Sequence, residues 1–378
     1  MPQSRFVIAY EGKARILVPK EALQLVPRRK LEVFYNPVMS LNRDVAIALV
    51  RALGRKKLKI ADPLAGTGVR AVRFALELEG SVLHIAVNDA NKKATELAKR
   101  NFSLNKIPKS LVSFTSMDAS AFLLEGDGFD YIDIDPFGSP NPFLDAAIKK
   151  LSRNGILAIT ATDVAALAGT AFTACIRKYW AKPLHNELMH EVGLRILARK
   201  AQLIGAQYEK ALVPIFCHST AHYLRLYLKA SKGKRLVDKS LKNHKLLLYC
   251  EGCMNRKMAD ENIGKCEFCH KEMTVAGPMW DGQLWEAPLA EKMASTTYES
   301  AQTQKLLALI AGEAKLSVPT FYSINKICSK MRIKVPKQQR IMEKIYLSGF
   351  DVARSHFSPD GLRSNIPIDK LKNLLASL

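Results

Sequence analysis

Short apolar runs alternate with amphipathic stretches through the first half of the chain. Residues 58–62, 83–89, 112–115, 129–134 and 155–160 are dominated by apolar positions, the pattern of parallel strands buried on both faces. Between them, 69–78, 91–101 and 143–151 carry helical patterning. Strand and helix in alternation predict an open α/β sheet. Ahead of it, 5–9 and 14–18 predict two short strands around the Glu11-Gly12 turn, and 41–53 a helix capped by Asn42, with Asp44 near its positive end. Arg43 is a cation at the wrong end of that helix. It reads either as a plain surface arginine or as one that meets an anionic ligand. Further on, 169–180 and 187–203 predict helices, and 211–217 with 223–228 the antiparallel last pair of the sheet. His218 and His222 flank the turn between these strands and read as structural or surface residues, since no third metal ligand lies near them.

The chemistry collects where these strands end. Pro63-Leu64-Ala65-Gly66-Thr67-Gly68 joins a strand to a helix, the context in which glycines let backbone approach a nucleotide. A third glycine is missing, and no lysine follows as in a triphosphate loop, so a single adenosine-bearing ligand fits better than a dinucleotide. Asp89 lies 23 positions after Gly66, the distance at which an acid reaches a ribose diol. Asp118 ends the next strand and offers an acceptor to an adenine amine, while the Ala119 N–H offers a donor to a ring nitrogen. The fourth strand delivers Asp133-Ile134-Asp135-Pro136-Phe137-Gly138-Ser139-Pro140. Asp135 accepts from an amine, the Pro136 carbonyl is a second acceptor, and Phe137 offers a face to a planar base. Phe34 or Tyr35 is the candidate for the opposite wall. Together these suit an exocyclic amine on an aromatic ring.

The second half changes character. Lys229, Lys232, Lys234, Arg235, Lys239, Lys242 and Lys245 face one acid, Asp238, and predict a linker or loop along a phosphate backbone. Cys250-x-x-Cys253 and Cys266-x-x-Cys269, twelve residues apart, predict a closed four-thiolate site for a structural zinc, with Gly252 and Gly264 easing the turns. Trp280 and Trp285 read as packing residues. Helices over 291–311, through Met331, and from Pro336 to Leu347, then a turn at Ser358-Pro359-Asp360-Gly361, suggest a winged-helix arrangement. Lys326, Lys330, Arg332, Lys334, Lys337, Arg340 and Lys344 make it basic. Arg354, His356 and Arg363 could extend the patch.

Composition agrees with a nucleic-acid partner. The 378 residues carry 57 Lys+Arg against 35 Asp+Glu, a formal charge of +22, which favours a polyanion. An odd number of cysteines, 7, four of them clustered, argues for metal before disulfides. The N-terminus lacks the apolar run of a signal peptide, and no stretch of about 18 apolar residues exists for a membrane span. A cytoplasmic location is the expectation.

The glycine loop, Asn88-Asp89 and Asp135-Pro136-Phe137-Gly138 resemble the Rossmann-like S-adenosylmethionine-dependent methyltransferases. The Asp-Pro-Phe segment is similar to the Asp/Asn-Pro-Pro-aromatic signature of exocyclic-amine methylation, with one proline where that pattern commonly has two. Phe34-Tyr35-Asn36-Pro37, Asn42-Arg43-Asp44, the whole 133–140 segment and Glu191-Val192-Gly193-Leu194-Arg195-Ile196-Leu197 resemble more closely the archaeal and eukaryotic tRNA guanine-26 N2-dimethyltransferase family. The likeness covers essentially the full chain. It implies a class I methyltransferase domain over 1–228 and a smaller, basic α+β tRNA-binding domain over 229–378, with the zinc module at 250–269. It further implies cofactor contacts from Arg43, Arg70, Asp89, Asp118 and Ala119 beside Gly66, and catalytic roles for Asp135, Pro136 and Phe137. A monomer with no obligate protein partner is expected. The alternatives are an exocyclic-amine methyltransferase acting on rRNA or DNA, and a zinc-bearing RNA-binding protein with an inactive Rossmann domain.

Overall fold

The structure is a computed structural model and describes residues 5–23 and 32–378. Strands β1 (Phe6–Glu11) and β2 (Ala14–Pro19) form a hairpin in register Glu11 to Ala14. Helix α1 (Ser40–Leu53), β3 (Leu58–Asp62), α2 (Val69–Glu77), β4 (Val82–Asn88), α3 (Lys92–Leu104), β5 (Val112–Thr115), α4 (Ala119–Glu125), β6 (Phe129–Ile134), α5 (Asn141–Lys150) and β7 (Leu151–Ala161) follow. Helices α6 (Val164–Leu167), α7 (Phe172–Tyr179) and α8 (Met189–Ala206) lead to β8 (Lys210–Thr220) and β9 (Tyr223–Lys232). The sheet order is β5-β4-β3-β6-β7-β9-β8. The first five strands are parallel, so this is a mixed α/β fold on a mostly parallel sheet. A two-residue turn at Ala221 and His222 makes the last pair a hairpin, as the sequence predicts.

Burial explains the strand sequences. In β6 every position but Asp130 is buried, and in β3 every position but Lys59. Parallel strands covered by helices on both faces tolerate little polarity. Their carboxyl ends share one edge, where the loops after β3, β4 and β5 are pinned together by Asn88. Its side chain donates to the carbonyls of Pro63 (3.1 Å) and Met117 (3.0 Å) and accepts from Thr115 Oγ1 (2.8 Å) and Met117 N (3.1 Å).

The chain divides into two compact units. The first comprises residues through Thr160 with Lys229–Lys232 and Thr296–Thr303; the second comprises Ala161–Leu228, Gly233–Ser295 and Gln304–Leu378. Beyond the sheet, α9 (Lys234–Leu241) precedes β10 (His244–Tyr249), β11 (Arg256–Ala259) and β12 (Thr274–Trp280), a sheet of order β11-β10-β12. Then come α10 (Ala287–Ala294), α11 (Ala301–Ala314), β13 (Tyr322–Ser323), α12 (Ile324–Met331), α13 (Gln338–Leu347), β14 (Val352–Arg354), β15 (Gly361–Ser364) and α14 (Ile368–Ala376). Helix, strand, two helices and a ribbon of order β13-β15-β14 reproduce the winged-helix arrangement.

Four expectations are corrected. The helix over 291–311 is two helices, with 295–300 between them. The expected linker is the end of β9 and helix α9, which buries Val237. Asn42 lies inside α1, whose first residue is Ser40; it is fully buried and bonds side chains rather than capping. His356 and Arg363 are buried and cannot extend a basic surface. Trp280 and Trp285 pack as expected, each indole N–H donating to a carbonyl. No helix among the described residues is long and apolar enough to cross a membrane.

Candidate active site

The loop after β3 turns on two left-handed glycines, Gly66 (φ 54°) and Gly68 (φ 74°). A Cβ on Gly68 would stand 2.9 Å from Ala98 Cβ, so glycine there lets α2 start against α3. The Gly66 N–H donates to Asp89 Oδ2 (2.8 Å), and Asn91 N donates to Asp89 Oδ1 (2.9 Å). Two backbone donors thus fix the carboxylate at the edge without burying it. Asp118 is exposed and caps α4 through one oxygen, Oδ1, which accepts from Ser120 N (2.9 Å) and Ala121 N (3.0 Å). Ala119, buried, opens the helix, so its N–H belongs to the N-terminal donors that point along the axis. The structure brings Gly66, Asp89, Asp118 and Ala119 to one sheet edge.

Asp135 stands at the end of β6 on the same edge. Arg70, on α2, is bonded to its Oδ2 and donates to Asn42 Oδ1 (3.0 Å), and its Nη1 lies 3.3 Å from Asp133 Oδ2. Tyr131 Oη donates to the same Asp133 oxygen (2.8 Å). Three carboxylates therefore surround one guanidinium, because Asp62, the last residue of β3, is buried beside them. Its Oδ2 has no hydrogen-bond partner. Burial pushes the Asp62 carboxyl up to about 7, against the pull of Arg70 and with help from the charges of Asp133, Asp135 and Asp89. Pro136 is buried, while Phe137 is 76% exposed. Its ring meets Phe34 edge to face, centroids 4.5 Å apart. Phe34 is thus the facing wall; a base stacked between the rings requires them to part. Tyr35 is not available, since its hydroxyl donates to Glu11 (3.1 Å) inside the protein.

Arg43 is neither a surface arginine nor open on all sides. Its Nε and Nη2 pair with the two oxygens of Glu11 (2.5 and 2.6 Å), and Nη2 also reaches the Asn36 carbonyl. Arg73 bonds the same Glu11 (3.0 Å), Asp44 (2.7 Å) and Glu77 (2.7 Å). Glu11 stays ionised: burial works against it, but Arg43 and Arg73 pull its carboxyl below the usual range. Glu11, Arg73 and Asp62 were not singled out in the sequence. A glutamate before a turn glycine looks like an ordinary turn residue, and only the fold reveals what faces it.

In the second unit the four cysteines converge, their Sγ atoms all within 4.8 Å of one another. Cys250 and Cys269 are 3.3 Å apart, Cys253 and Cys266 3.5 Å. A tetrahedron with Zn–S bonds of about 2.3 Å has edges of about 3.8 Å, so the donor set fits a single ion. A Cβ on Gly252 would come within 2.6 Å of the Lys271 side chain, while two of the sulfurs, at 3.4 and 3.5 Å, would stand at ordinary contact distance. All seven cysteines are free of disulfides. Of the basic residues from Lys326 to Lys344, Lys326 pairs with Glu187 (2.6 Å) and Lys330 bonds the Glu251 carbonyl. Arg332, Lys334, Lys337, Arg340 and Lys344 are exposed, and a cavity of about 440 Å³ lies against three of them, Lys334, Lys337 and Arg340.

The Glu191 segment turns out to be the heart of the second unit. Glu191 is fully buried, paired with Arg195 (2.8 Å) and Arg363 (2.6 Å), and accepts from Thr320 N (2.8 Å). Arg363 also meets Glu313 (3.2 Å), which binds His356. Burial opposes ionisation of Glu191, yet Arg363 and Arg195 hold its carboxyl at about 2.

Residues 12–376 match the sequence model of a family described as N2,N2-dimethylguanosine tRNA methyltransferase. The tRNA (guanine(26)-N(2)/guanine(27)-N(2))-dimethyltransferase of Aquifex aeolicus (strain VF5) is 39% identical over 98% of this chain and 96% of its own. The tRNA (guanine(26)-N(2))-dimethyltransferase of Methanobrevibacter smithii is 38% identical over 92% of each chain. Among solved structures, Trm1 from Pyrococcus horikoshii in complex with S-adenosyl-L-methionine has a TM-score of 0.86 at 32% identity, covering 98% of this chain and 99% of that one.

Proposed function

The chain belongs to the N2,N2-dimethylguanosine tRNA methyltransferase family, and from that premise we infer its reaction. It transfers methyl groups from S-adenosyl-L-methionine to the exocyclic N2 of guanine 26 in tRNA, giving N2-methyl- and then N2,N2-dimethylguanosine. The observation that carries this reading is 39% identity over 98% of the chain to an enzyme named for that reaction. Because that relative's name includes guanine 27, the neighbouring base is a second position to examine.

The residues at the sheet edge suit the cofactor, and we read the fold as a Rossmann-like class I methyltransferase core. Asp89, oriented by two N–H groups, would hold the ribose hydroxyls. Asp118 and the Ala119 N–H would hold the adenine edge, and the Gly66 turn admits the ligand close to backbone. Arg43 would reach it through Nη1, the guanidinium nitrogen outside its bonds to Glu11 and Asn36. Bound there, S-adenosyl-L-methionine supplies an electrophilic methyl group.

The chain's own part is to prepare the amine. The guanine N2 lone pair is delocalised into the ring and is a poor nucleophile. Arg70 fixes one oxygen of Asp135, which leaves the other to accept an N–H, with the Pro136 carbonyl as second acceptor. Holding both bonds favours a pyramidal nitrogen and aims its lone pair. The Asp135 charge favours the positive charge that develops on nitrogen, and the proton leaves to Asp135 directly or through water. The base must leave its stack to arrive, and Phe137 and Phe34 would receive it.

We assign methyl transfer to residues 1–228 and tRNA binding to 229–378, with the exposed cations from Arg332 to Lys344 on the phosphate backbone. The four thiolates would hold a structural zinc, which metal analysis of the purified protein checks at one ion per chain. A cytoplasmic monomer without an obligate protein partner completes this reading. Mass spectrometry of nucleosides and mapped fragments from tRNA incubated with enzyme and cofactor tests it. N2-methylated guanosine at 26, or at 26 and 27, is expected; its absence, or methylation of rRNA or DNA instead, overturns it.

A further inference from the structure

Helix α7 breaks the usual rule for a surface helix. Its buried side is Cys175 and Tyr179. On its open side Phe172 is 45% exposed and Ile176 40%, and Trp180, just past the helix end, is 50% exposed. The spacing i, i+4 sets Phe172 and Ile176 on one stripe, and Trp180 follows four residues on, at the helix end. A solvent-facing stripe is ordinarily polar, and scattered apolar residues need no explanation, but an aligned apolar set with two aromatic rings does. Trp180 is also held in place. It sits in the left-handed region (φ 56°), uncommon for a bulky residue. The Lys200 ammonium lies 2.9 Å from its ring centroid, and Arg199 donates to its carbonyl (3.1 Å). One face of the indole is thereby backed by a cation, and the ring remains half open.

The charges beside the stripe have one sign. Arg177 and Lys178 are exposed on the same helix. The acid at hand, Asp163, is engaged by the Tyr179 hydroxyl (2.6 Å) and by Lys178 (3.4 Å). Exposed rings interleaved with cations suit unpaired nucleotides, whose bases stack while their phosphates are neutralised. We propose that the Phe172–Ile176–Trp180 stripe is an RNA-binding surface that stacks unpaired bases of the tRNA substrate, separate from the basic C-terminal surface. This rests on the reading of tRNA as substrate.

The chain has three tryptophans, and Trp280 and Trp285 are 6% and 3% exposed, so Trp180 is the one open to a base. Titrating the full-length protein with unmodified tRNA should quench tryptophan emission, with the midpoint of binding measured independently by filter retention. Trp180→Phe should abolish the quench and keep most of the affinity, because phenylalanine still stacks. Phe172→Ala with Trp180→Ala should weaken tRNA binding about 5- to 150-fold, the range for loss of one stacked base, at unchanged cofactor affinity. If wild-type protein binds and methylates tRNA but its emission does not change, or the double variant binds normally, the stripe is not an RNA surface and the methyltransferase reading stands. Wild-type protein that does not bind tRNA overturns both. Should the double variant fail to fold, the quench and its loss in Trp180→Phe still decide.

Discussion

Because Arg70 holds one oxygen of Asp135 and is itself held by Asn42, the carboxylate reaches the site in a single orientation. Replacing Asp135 by Ala should lower the single-turnover rate at saturating tRNA and cofactor about 100-fold, with cofactor affinity little changed. Asp135→Asn separates two causes. If alignment dominates, the amide oxygen restores much of the lost rate; if charge or proton removal dominates, Asn is as slow as Ala. A near-normal rate for Asp135→Ala would defeat the mechanism. Asp62 makes a different prediction, on stability. Its folded carboxyl is raised to about 7, so the folded state binds its proton more tightly than the unfolded chain does. The associated stability is fully present below about pH 4 and is lost as pH rises to about 7. Asp62→Asn should therefore leave the unfolding free energy from urea titration unchanged near pH 4 and raise it increasingly toward pH 7, by at most about 4 kcal/mol. A gain that is flat with pH would contradict this. Asp135, Asp89 and the glycine turn were legible because each ends an apolar run at a fixed spacing. Asp62 ends such a run too, but its raised carboxyl depends on neighbours from two other strands and a helix.

Among the elements, α8, α11 and β15 meet through four buried charges, with Glu191 and Glu313 facing Arg195 and Arg363. Removing Arg363 strips two buried carboxylates of a shared partner, leaving Glu191 with Arg195 and Glu313 with His356, at a cost of about 3–5 kcal/mol. Arg363→Met should lower stability by that amount in urea unfolding, most clearly near neutral pH. The sign follows from Glu191: its folded carboxyl lies near 2, so the contribution is present above about 4.5 and fades as pH falls toward 2. Equal destabilisation at pH 2 and pH 7 would refute that account. The sequence showed these elements imperfectly, for identifiable reasons. Strand–helix alternation was readable because parallel strands are apolar throughout. The basic stretch after β9 hid a helix, since α9 buries only Val237 and Ser240 and carries Lys234, Arg235 and Lys239. Arg363 looked like a surface cation and Arg43 like either a surface cation or a ligand contact, because sequence does not show that a carboxylate waits inside.

For the whole molecule, the formal +22 predicts tRNA affinity that falls steeply with salt. Each phosphate contact contributes about 0.7 to 0.9 to the slope of log K against log salt. Reversing Lys334 and Lys337 to Glu should flatten that slope by about 2 without touching cofactor affinity, and an unaltered slope would move the RNA elsewhere. The second unit also has a schedule. It is built from three separated stretches of chain, and the last of them supplies Arg363. Until a ribosome has released that arginine, Glu191 and Glu313 have no guanidinium to share, so α8 cannot settle in its final burial during translation. Nascent chains stalled before residue 361 should remain open to protease across 189–206, and completed chains should not; early protection there would show that the unit closes before its last charge arrives.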